Sequence, residues 1–168
     1  PHAMLLVGPP GVGKAAFSEQ LAALLLCESI SPDLSACGEC QACRWLEAGN
    51  HPDFRRVAPE GDDEAEEGAS EKVIEKTKKR GASMIKIDQI RELESFVFVG
   101  SHRQGNRVVL ITEADAMNQP AANSLLKILE EPPSSVYFIL ASSKAKSLLP
   151  TIRSRCRTIP FSTPDAAS

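Results

Sequence analysis

The chain has 168 residues, which is enough for one domain with a well-buried core. Its 42% apolar and 24% charged residues are typical of a soluble globular protein, and the net charge of −3 gives no basic excess of the kind that indicates a nucleic-acid-binding surface. No apolar run approaches the ~20 residues of a membrane span and no signal-peptide pattern is present, so we expect a cytoplasmic protein without a membrane partner.

A glycine-rich loop, GPPGVGKA, occupies residues 8–15 between a predicted strand (3–7) and a predicted helix (15–26). Strand, loop and helix in this order form a phosphate-binding P-loop, because the loop N–H groups and the helix N-terminus both favour an anion. The last position should carry a hydroxyl for Mg²⁺, but it is Ala15. The pattern predicts a degenerate phosphate cradle; the alternative is a glycine turn without a ligand. The candidate phosphate-binding residues are Gly8, Gly11, Gly13 and Lys14.

Four of the five cysteines follow the pattern C-x9-C-x2-C-x2-C within residues 27–43. Two overlapping CxxC units can close a tetrahedral Zn²⁺ site, whereas ordinary buried cysteines do not require this spacing. Since all four ligands would come from the protein, the site would be structural rather than catalytic. We interpret His51, in a turn beside a proline, as a structural residue and not as a further ligand. The predicted zinc ligands are Cys27, Cys37, Cys40 and Cys43.

A strongly charged segment follows a short helix (44–48) and a second strand (54–57). Residues 60–71 contain seven acidic side chains, and a basic run follows them. Blocks of like charge with few apolar residues stay solvated, so residues 60–83 are predicted to be a mobile insertion. Order is expected to resume at residues 84–87, and Asp88 is the predicted cap of a helix that ends near residue 98.

The remaining chain alternates between apolar strands and amphipathic helices. The predicted strands cover residues 107–112, 136–141 and 156–161, and the predicted helices cover residues 117–131 and 148–153. Continuous apolar runs are typical of strands buried in a parallel sheet. The alternation therefore predicts an α/β fold with a central parallel sheet.

The strand at 107–112 bears on catalysis by the P-loop. In P-loop nucleotidases the strand lying beside the loop ends in an Asp that supports Mg²⁺, often followed by a catalytic Glu. Here that position is Thr112, followed by Glu113. Together with Ala15, two metal-supporting positions are lost, and Asp115 lies beyond the strand end. We therefore expect no Mg²⁺ site, and the pattern leaves open whether nucleotide binds weakly through Lys14.

Three stretches carry a resemblance to clamp-loader AAA+ proteins. The sequence NSLLKILEEPP at 123–133 resembles the helix after their Walker B strand, and Ser-Arg-Cys at 154–156 resembles their motif of that name. The four-cysteine pattern resembles the zinc module of the bacterial subunits. The resemblance implies a P-loop NTPase (AAA+) three-layer fold over residues 1–168 with an inserted zinc module at 27–43. Since the chain begins directly before its first strand, we interpret it as an excised domain.

The resemblance also implies a function. Clamp loaders of bacterial DNA polymerase III use ATP to open a sliding clamp and place it on primed DNA during replication. Expected partners are the gamma/tau and delta subunits, the clamp, the DNA and the holoenzyme, which is a DNA-directed DNA polymerase (a nucleotidyltransferase). The Ser-Arg-Cys arginine contacts ATP held by a neighbouring subunit, which gives Arg155 a catalytic role in trans. With a degenerate ATP site, the chain itself is expected not to hydrolyse ATP.

Two alternatives remain at this point. The chain could be an ATP-hydrolysing subunit of the gamma/tau type, against which Ala15 and Thr112 both argue. It could instead be a zinc-dependent nucleic-acid-binding domain, against which the net acidic charge argues. For Arg155 itself, the simpler interpretation is a solvated surface cation, because Arg153 and Arg157 flank it.

Overall fold

The computed structural model describes residues 2–60, 83–99 and 105–164, and within them five parallel strands form one sheet. The order across the sheet is β2-β3-β4-β1-β5, so that β2 and β5 are its edges. β1 pairs with β4 from Ala3 opposite Phe138 to Val7 opposite Ser142. The predicted α/β fold with a central parallel sheet is confirmed. The strands are β1 (Ala3–Val7), β2 (Phe54–Val57), β3 (Arg107–Ile111), β4 (Val136–Ser142) and β5 (Arg157–Pro160).

Helices cover both faces of the sheet, because neighbouring strand residues point to opposite sides. On one face Leu5 joins a cluster with the buried sides of three helices, and on the other Leu6 packs with α1. All five residues of β3 are buried, as expected for a central strand covered on both faces. This is the three-layer arrangement that the resemblance implies. The helices are α1 (Lys14–Leu26), α2 (Gln41–Ala48), α3 (Ile87–Phe98), α4 (Gln119–Glu130) and α5 (Pro150–Arg155).

The predicted strand at 107–112 corresponds to β3, which does not pair with β1, because β4 lies between them. Since all strands are parallel, their carboxyl ends still meet at one edge of the sheet. Residues that follow β3 and β4 therefore face the same cleft as the loop that follows β1.

Several helix boundaries also differ from the prediction. α3 is capped by Lys86, whose backbone N–H donates to Oε1 of Gln89 at 2.9 Å, and Asp88 lies inside the first turn. α5 begins at Pro150 and ends at Arg155, two residues later than predicted. Proline favours the first turn of a helix, where its missing N–H is not needed. Arg155 is consequently the last residue of a helix.

Residues 61–82, most of the predicted mobile insertion, lie outside the described residues. The residues that flank this segment are paired: the backbone N–H of Glu60 donates to the Met84 carbonyl at 3.1 Å, and Met84 donates back at 3.3 Å. The segment thus leaves and re-enters the domain at one point. Within the described part of the chain, no helix has the length and apolarity needed to cross a bilayer.

Candidate functional site

The glycine loop lies between β1 and α1, and its backbone depends on all three of its glycines. Gly13 caps α1 in the left-handed conformation, with φ of 93°. A Cβ atom on Gly8 would lie 2.3 Å from the carbonyl oxygen of Phe161, which is closer than real Cβ contacts approach. The first glycine is therefore required by the close passage of the chain that follows β5. The second and third positions of the motif, Gly11 and Gly13, are required by their positive φ.

An open cleft of about 550 Å³ lies in front of this loop. It brings together residues that are distant in sequence: the loop, the residues that follow β3, and the end of β4. The two positions at which the sequence lacks metal-supporting groups, Ala15 and Thr112, are both in its wall. Sequence reasoning did not identify the remaining polar lining, because strand-end residues carry no motif of their own. That remaining lining includes Arg56, Ser142 and Ser143.

Lys14 is buried and points back at its own loop. Its Nζ donates to the carbonyl oxygens of Gly8 at 2.6 Å and Pro9 at 2.7 Å. Both contacts are at full hydrogen-bond strength and use two of the three ammonium N–H donors. In this arrangement the ammonium stabilises the loop, and an incoming phosphate would have to compete with two carbonyl groups.

The residues at and after the end of β3, where Mg²⁺ support would be expected, have hydrogen-bond partners in the chain or face solvent. The Thr112 hydroxyl donates to the Val57 carbonyl at 3.3 Å, so it belongs to the contact between β2 and β3. Glu113 is exposed in the left-handed conformation with φ of 52°. Asp115 accepts a hydrogen bond from the hydroxyl of buried Ser142 at 2.8 Å. That bond holds the Asp115 side chain against the end of β4.

The four predicted zinc ligands come together in space. Their sulfur atoms all lie within 4.8 Å of one another, with Sγ–Sγ distances of 3.9 Å for Cys27–Cys40 and 4.0 Å for Cys37–Cys43. A Zn–S bond of about 2.3 Å places the sulfurs of a regular tetrahedron about 3.8 Å apart, whereas a disulfide requires about 2.05 Å. The geometry therefore fits a tetrahedral metal ion and excludes disulfides. His51 is absent from this cluster, as expected; its Nδ1 accepts a hydrogen bond from Asp53 N at 3.0 Å.

The protein supplies this cluster with hydrogen bonds that favour thiolates. Backbone N–H groups donate to sulfur throughout the module, including Cys37 to Cys27 at 3.3 Å and Cys43 to Cys40 at 3.5 Å. Burial opposes ionisation of Cys40, but such hydrogen bonds lower its pKa to about 6. Burial raises the pKa of Cys43 to about 12, and the surrounding thiols act in the same direction. Cys40 thus ionises more readily than an ordinary thiol, and Cys43 would ionise when a bound cation compensates the charge.

Arg155 stands at the surface on the end of α5. Its Nη2 lies 3.4 Å from Oε1 of Glu130, the last residue of α4, and both side chains are nearly half exposed (42% and 47%). The next residue, Cys156, packs against the larger core cluster, and burial raises its pKa to about 11, so its thiol is neutral at physiological pH. Of the Ser-Arg-Cys motif, the cysteine is thus partly buried against the core and the arginine faces solvent.

The fold and the loop define a P-loop protein of the AAA+ class. A gamma subunit-related protein of DNA polymerase III from Thermotoga maritima shares the fold, with a TM-score of 0.63 and 23% identity over 97% of this chain and 42% of that chain. The family described as DNA polymerase III, delta subunit, matches residues 1–165, and the chain belongs to that family.

Curated relatives agree with this assignment. DNA polymerase III subunit delta' of Pseudomonas aeruginosa is 44% identical over 155 residues, which is 92% of this chain and 41% of that protein. The delta' subunit of Escherichia coli K12 is 35% identical over 156 residues, again 41% of its length, so the chain spans about two fifths of these relatives. A gamma/tau subunit of Mycobacterium bovis is 35% identical over 95% of this chain and 24% of its own length. The resemblance inferred from the motifs is confirmed, and this chain covers more of the delta' subunits than of the gamma/tau subunit.

Proposed function

We propose that this chain is the AAA+ module of a clamp-loader subunit of the delta' kind, which supplies Arg155 to an ATP molecule held by a neighbouring subunit. One observation carries the proposal: the guanidinium of Arg155 is presented to solvent at the end of a helix, while the chain's own cleft has lost its metal-supporting oxygens at positions 15 and 112. A subunit built in this way is suited to act on a neighbour's nucleotide and not on its own.

The chemistry of the arginine supports this role. A guanidinium placed against a transferring phosphoryl group stabilises the charge that develops in the transition state, and such arginines contribute roughly 10³–10⁵ to the rate. The effect requires a fixed backbone, because a mobile cation would rarely be in position. Arg155 has such a backbone: it lies between Ile152, fully buried in α5, and Cys156, which packs on the core.

The other roles in the proposal follow from the family. The subunit would assemble with gamma/tau and delta subunits in the cytoplasm and act during DNA replication, as part of the DNA polymerase III holoenzyme. Contact with the sliding clamp and with primed DNA would come through that complex. A Zn²⁺ ion bound by Cys27, Cys37, Cys40 and Cys43 would be structural, and ATP hydrolysis by this chain is not part of the proposed function.

The two alternatives are weaker. Likeness to a gamma/tau subunit is the observation that favours an ATP-hydrolysing chain, but Lys14 is bound to its own loop and no hydroxyl follows it. A zinc-dependent nucleic-acid-binding domain would need a basic surface on its zinc module. Residues 27–43 instead contain three acidic side chains and no Lys or Arg, and thiolates would add further negative charge. This module repels a phosphate backbone.

The test is the steady-state ATPase and clamp-loading rate of a reconstituted complex that carries Arg155→Ala in the full-length subunit. We expect turnover to fall partly, because the other ATP sites carry their own arginines, and clamp loading to fall more if the sites act together. Arg155→Lys should not restore the rate fully, since an ammonium lacks the planar fork that meets phosphate oxygens two at a time.

Arg157→Ala is the matched control, because Arg157 is also an exposed arginine but lies on the edge strand β5. It should leave both rates unchanged. If Arg155→Ala assembles normally and both rates match those of the unmodified complex, Arg155 has no role in trans.

A further inference from the structure

Arg155 has an acidic neighbour in its own chain, and this contact suggests how the arginine is aimed. Glu130 ends α4 and Arg155 ends α5, so the two side chains project from the ends of two helices that pack together. Both backbones are anchored directly beside the pair, at Leu129 in one helix and at Ile152 in the other, which are 7% and 0% exposed. The pair therefore joins two fixed points rather than two mobile loops.

The position of Glu130 is set by the way in which α4 ends. Glu131 departs from helical geometry, with φ of −134° and ψ of 67°, and it precedes two prolines. A residue before proline is disfavoured in the helical region, and proline lacks the N–H that would continue the ladder. Glu130 is thus the last helical residue by sequence, and its carboxylate stays within reach of α5.

The geometry of the contact leaves the arginine available. One guanidinium nitrogen, Nη2, meets one carboxylate oxygen at 3.4 Å, which is longer than the 2.7–2.9 Å of a strong charge-assisted hydrogen bond. A single contact of this kind limits the rotation of the side chain without occupying the whole planar fork. Ordering a free arginine on a partner costs side-chain entropy, and a side chain already confined by its neighbour loses less.

We propose that Glu130 is a positioning residue that aims Arg155 at the nucleotide of a neighbouring subunit; this inference rests on the function proposed above. Since the pair is exposed, its contribution is modest. Exposed ion pairs restrain their partners weakly, and the loss of such a restraint corresponds to roughly a 2- to 5-fold change. Because an arginine of this kind acts in the transition state, the change should appear in kcat and not in KM.

The experiment uses the full-length subunit in the reconstituted complex and measures kcat and KM for ATP. Glu130→Ala should lower the Arg155-dependent part of kcat by about 2- to 5-fold and change KM by less than 2-fold. Glu130→Gln should restore most of that loss, because an amide oxygen can still accept a hydrogen bond. Glu131→Ala is the matched control: it removes the adjacent exposed carboxylate and should change neither constant. Thermal melting of each variant establishes that it is folded.

A double-mutant cycle separates the possible outcomes. If Glu130 acts through Arg155, Glu130→Ala should have no further effect in the Arg155→Ala background. No effect of Arg155→Ala by itself would overturn the proposed function. If Arg155→Ala lowers the rate while Glu130→Ala leaves it unchanged, only the positioning role is overturned. The same holds if the effect of Glu130→Ala is equally large in the unmodified and the Arg155→Ala backgrounds. An increased rate with Glu130→Ala would also overturn it, since Glu130 would then be competing with the phosphate.

Discussion

Gly8 illustrates how one residue of the P-loop serves the fold as well as any ligand. The chain that follows β5 crosses directly over it, and the Phe161 backbone N–H donates to the Val7 carbonyl at 2.6 Å. The glycine that would let a loop approach phosphate is here the glycine that lets the loop approach β5. Retention of a P-loop glycine is therefore explained by packing, without any bound nucleotide.

We expect Gly8→Ala to destabilise the protein by about 2 kcal/mol or more, because the new Cβ would displace a backbone carbonyl, and overpacking of this kind typically costs 1–3 kcal/mol. Urea denaturation followed by circular dichroism measures the change. Gly105→Ala is the control, since a Cβ there meets nothing within 4 Å. Equal midpoints for the two variants would contradict this explanation of Gly8.

Two single residues, at positions 15 and 112, are expected to decide whether the cleft can hydrolyse ATP. We expect negligible turnover by the unmodified chain, whereas the pair Ala15→Thr with Thr112→Asp should introduce Mg²⁺-dependent ATP binding, because it supplies both metal-supporting oxygens. Phosphate release and titration with a fluorescent ATP analogue measure the two effects. Ala15→Val with Thr112→Asp has the same shape without the hydroxyl and should not gain binding. Turnover near 1 s⁻¹ by the unmodified chain, within the ordinary range of enzymes, would refute our interpretation of the two losses.

At the scale of elements, the four-cysteine module is a loop whose two ends are joined by the cluster of sulfur atoms. Cys27 is the C-cap of α1, and Cys40 is the N-cap of α2, where its sulfur accepts a hydrogen bond from Cys43 N. The cluster therefore fixes the end of one helix against the start of the next. A bound metal ion would hold the start of α2 in place, although the module has no hydrophobic core of its own.

We expect one zinc ion per chain in protein purified under reducing conditions without chelators, measured by elemental analysis. Cys37→Ala should lower the zinc content and the melting temperature together, since metal binding contributes directly to folding. Cys156→Ala should retain the zinc, because its sulfur lies outside the cluster. A zinc content near zero in the unmodified protein would refute the assignment.

The charged segment gives a second prediction at this scale. Its flanking residues, Glu60 and Met84, are hydrogen-bonded to each other, so four or five Gly and Ser residues could replace residues 61–82 and close the connection as a hairpin. Since loop length affects stability only slowly, the melting temperature should change by a few degrees at most. A large decrease in melting temperature would show that the segment packs on the domain.

The sequence predicts some strand bounds and the cysteine cluster well, but it predicts the bounds of α5 and the contacts of Lys14 poorly. β1 has the predicted bounds and β4 differs by one residue, because their apolar runs end where the sheet ends. α5 is displaced because Leu148 is buried although it precedes the helix, so that burial and helical pattern do not coincide there. The four-cysteine cluster is predictable since its spacing is local. The hydrogen bonds of Lys14 to its own loop are not predictable from the sequence, because a motif does not fix the direction of a side chain.

At the scale of the whole molecule, one contact missed by sequence reasoning ties distant parts together. Arg107 begins β3 and would be expected to lie in solvent, yet its side chain is 4% exposed. Its Nε lies 3.5 Å from Oδ1 of Asp53, its Nη1 donates to the carbonyl of Phe96, and its guanidinium lies over the Phe96 ring. The partners come from the turn before β2 and from α3. No local pattern predicts a buried ion pair between segments so far apart in sequence.

The edges of the sheet bear on how the molecule can associate with others. Both edge strands, β2 and β5, have only four residues, and each contains exposed arginine: Arg55 and Arg56 in β2, and Arg157 in β5. β5 also ends in Pro160, which has no N–H to offer a further strand. Short, charged and proline-ended strands resist edge-to-edge pairing. Open-ended growth of this sheet into fibrils, strand upon strand, is therefore disfavoured at both of its edges.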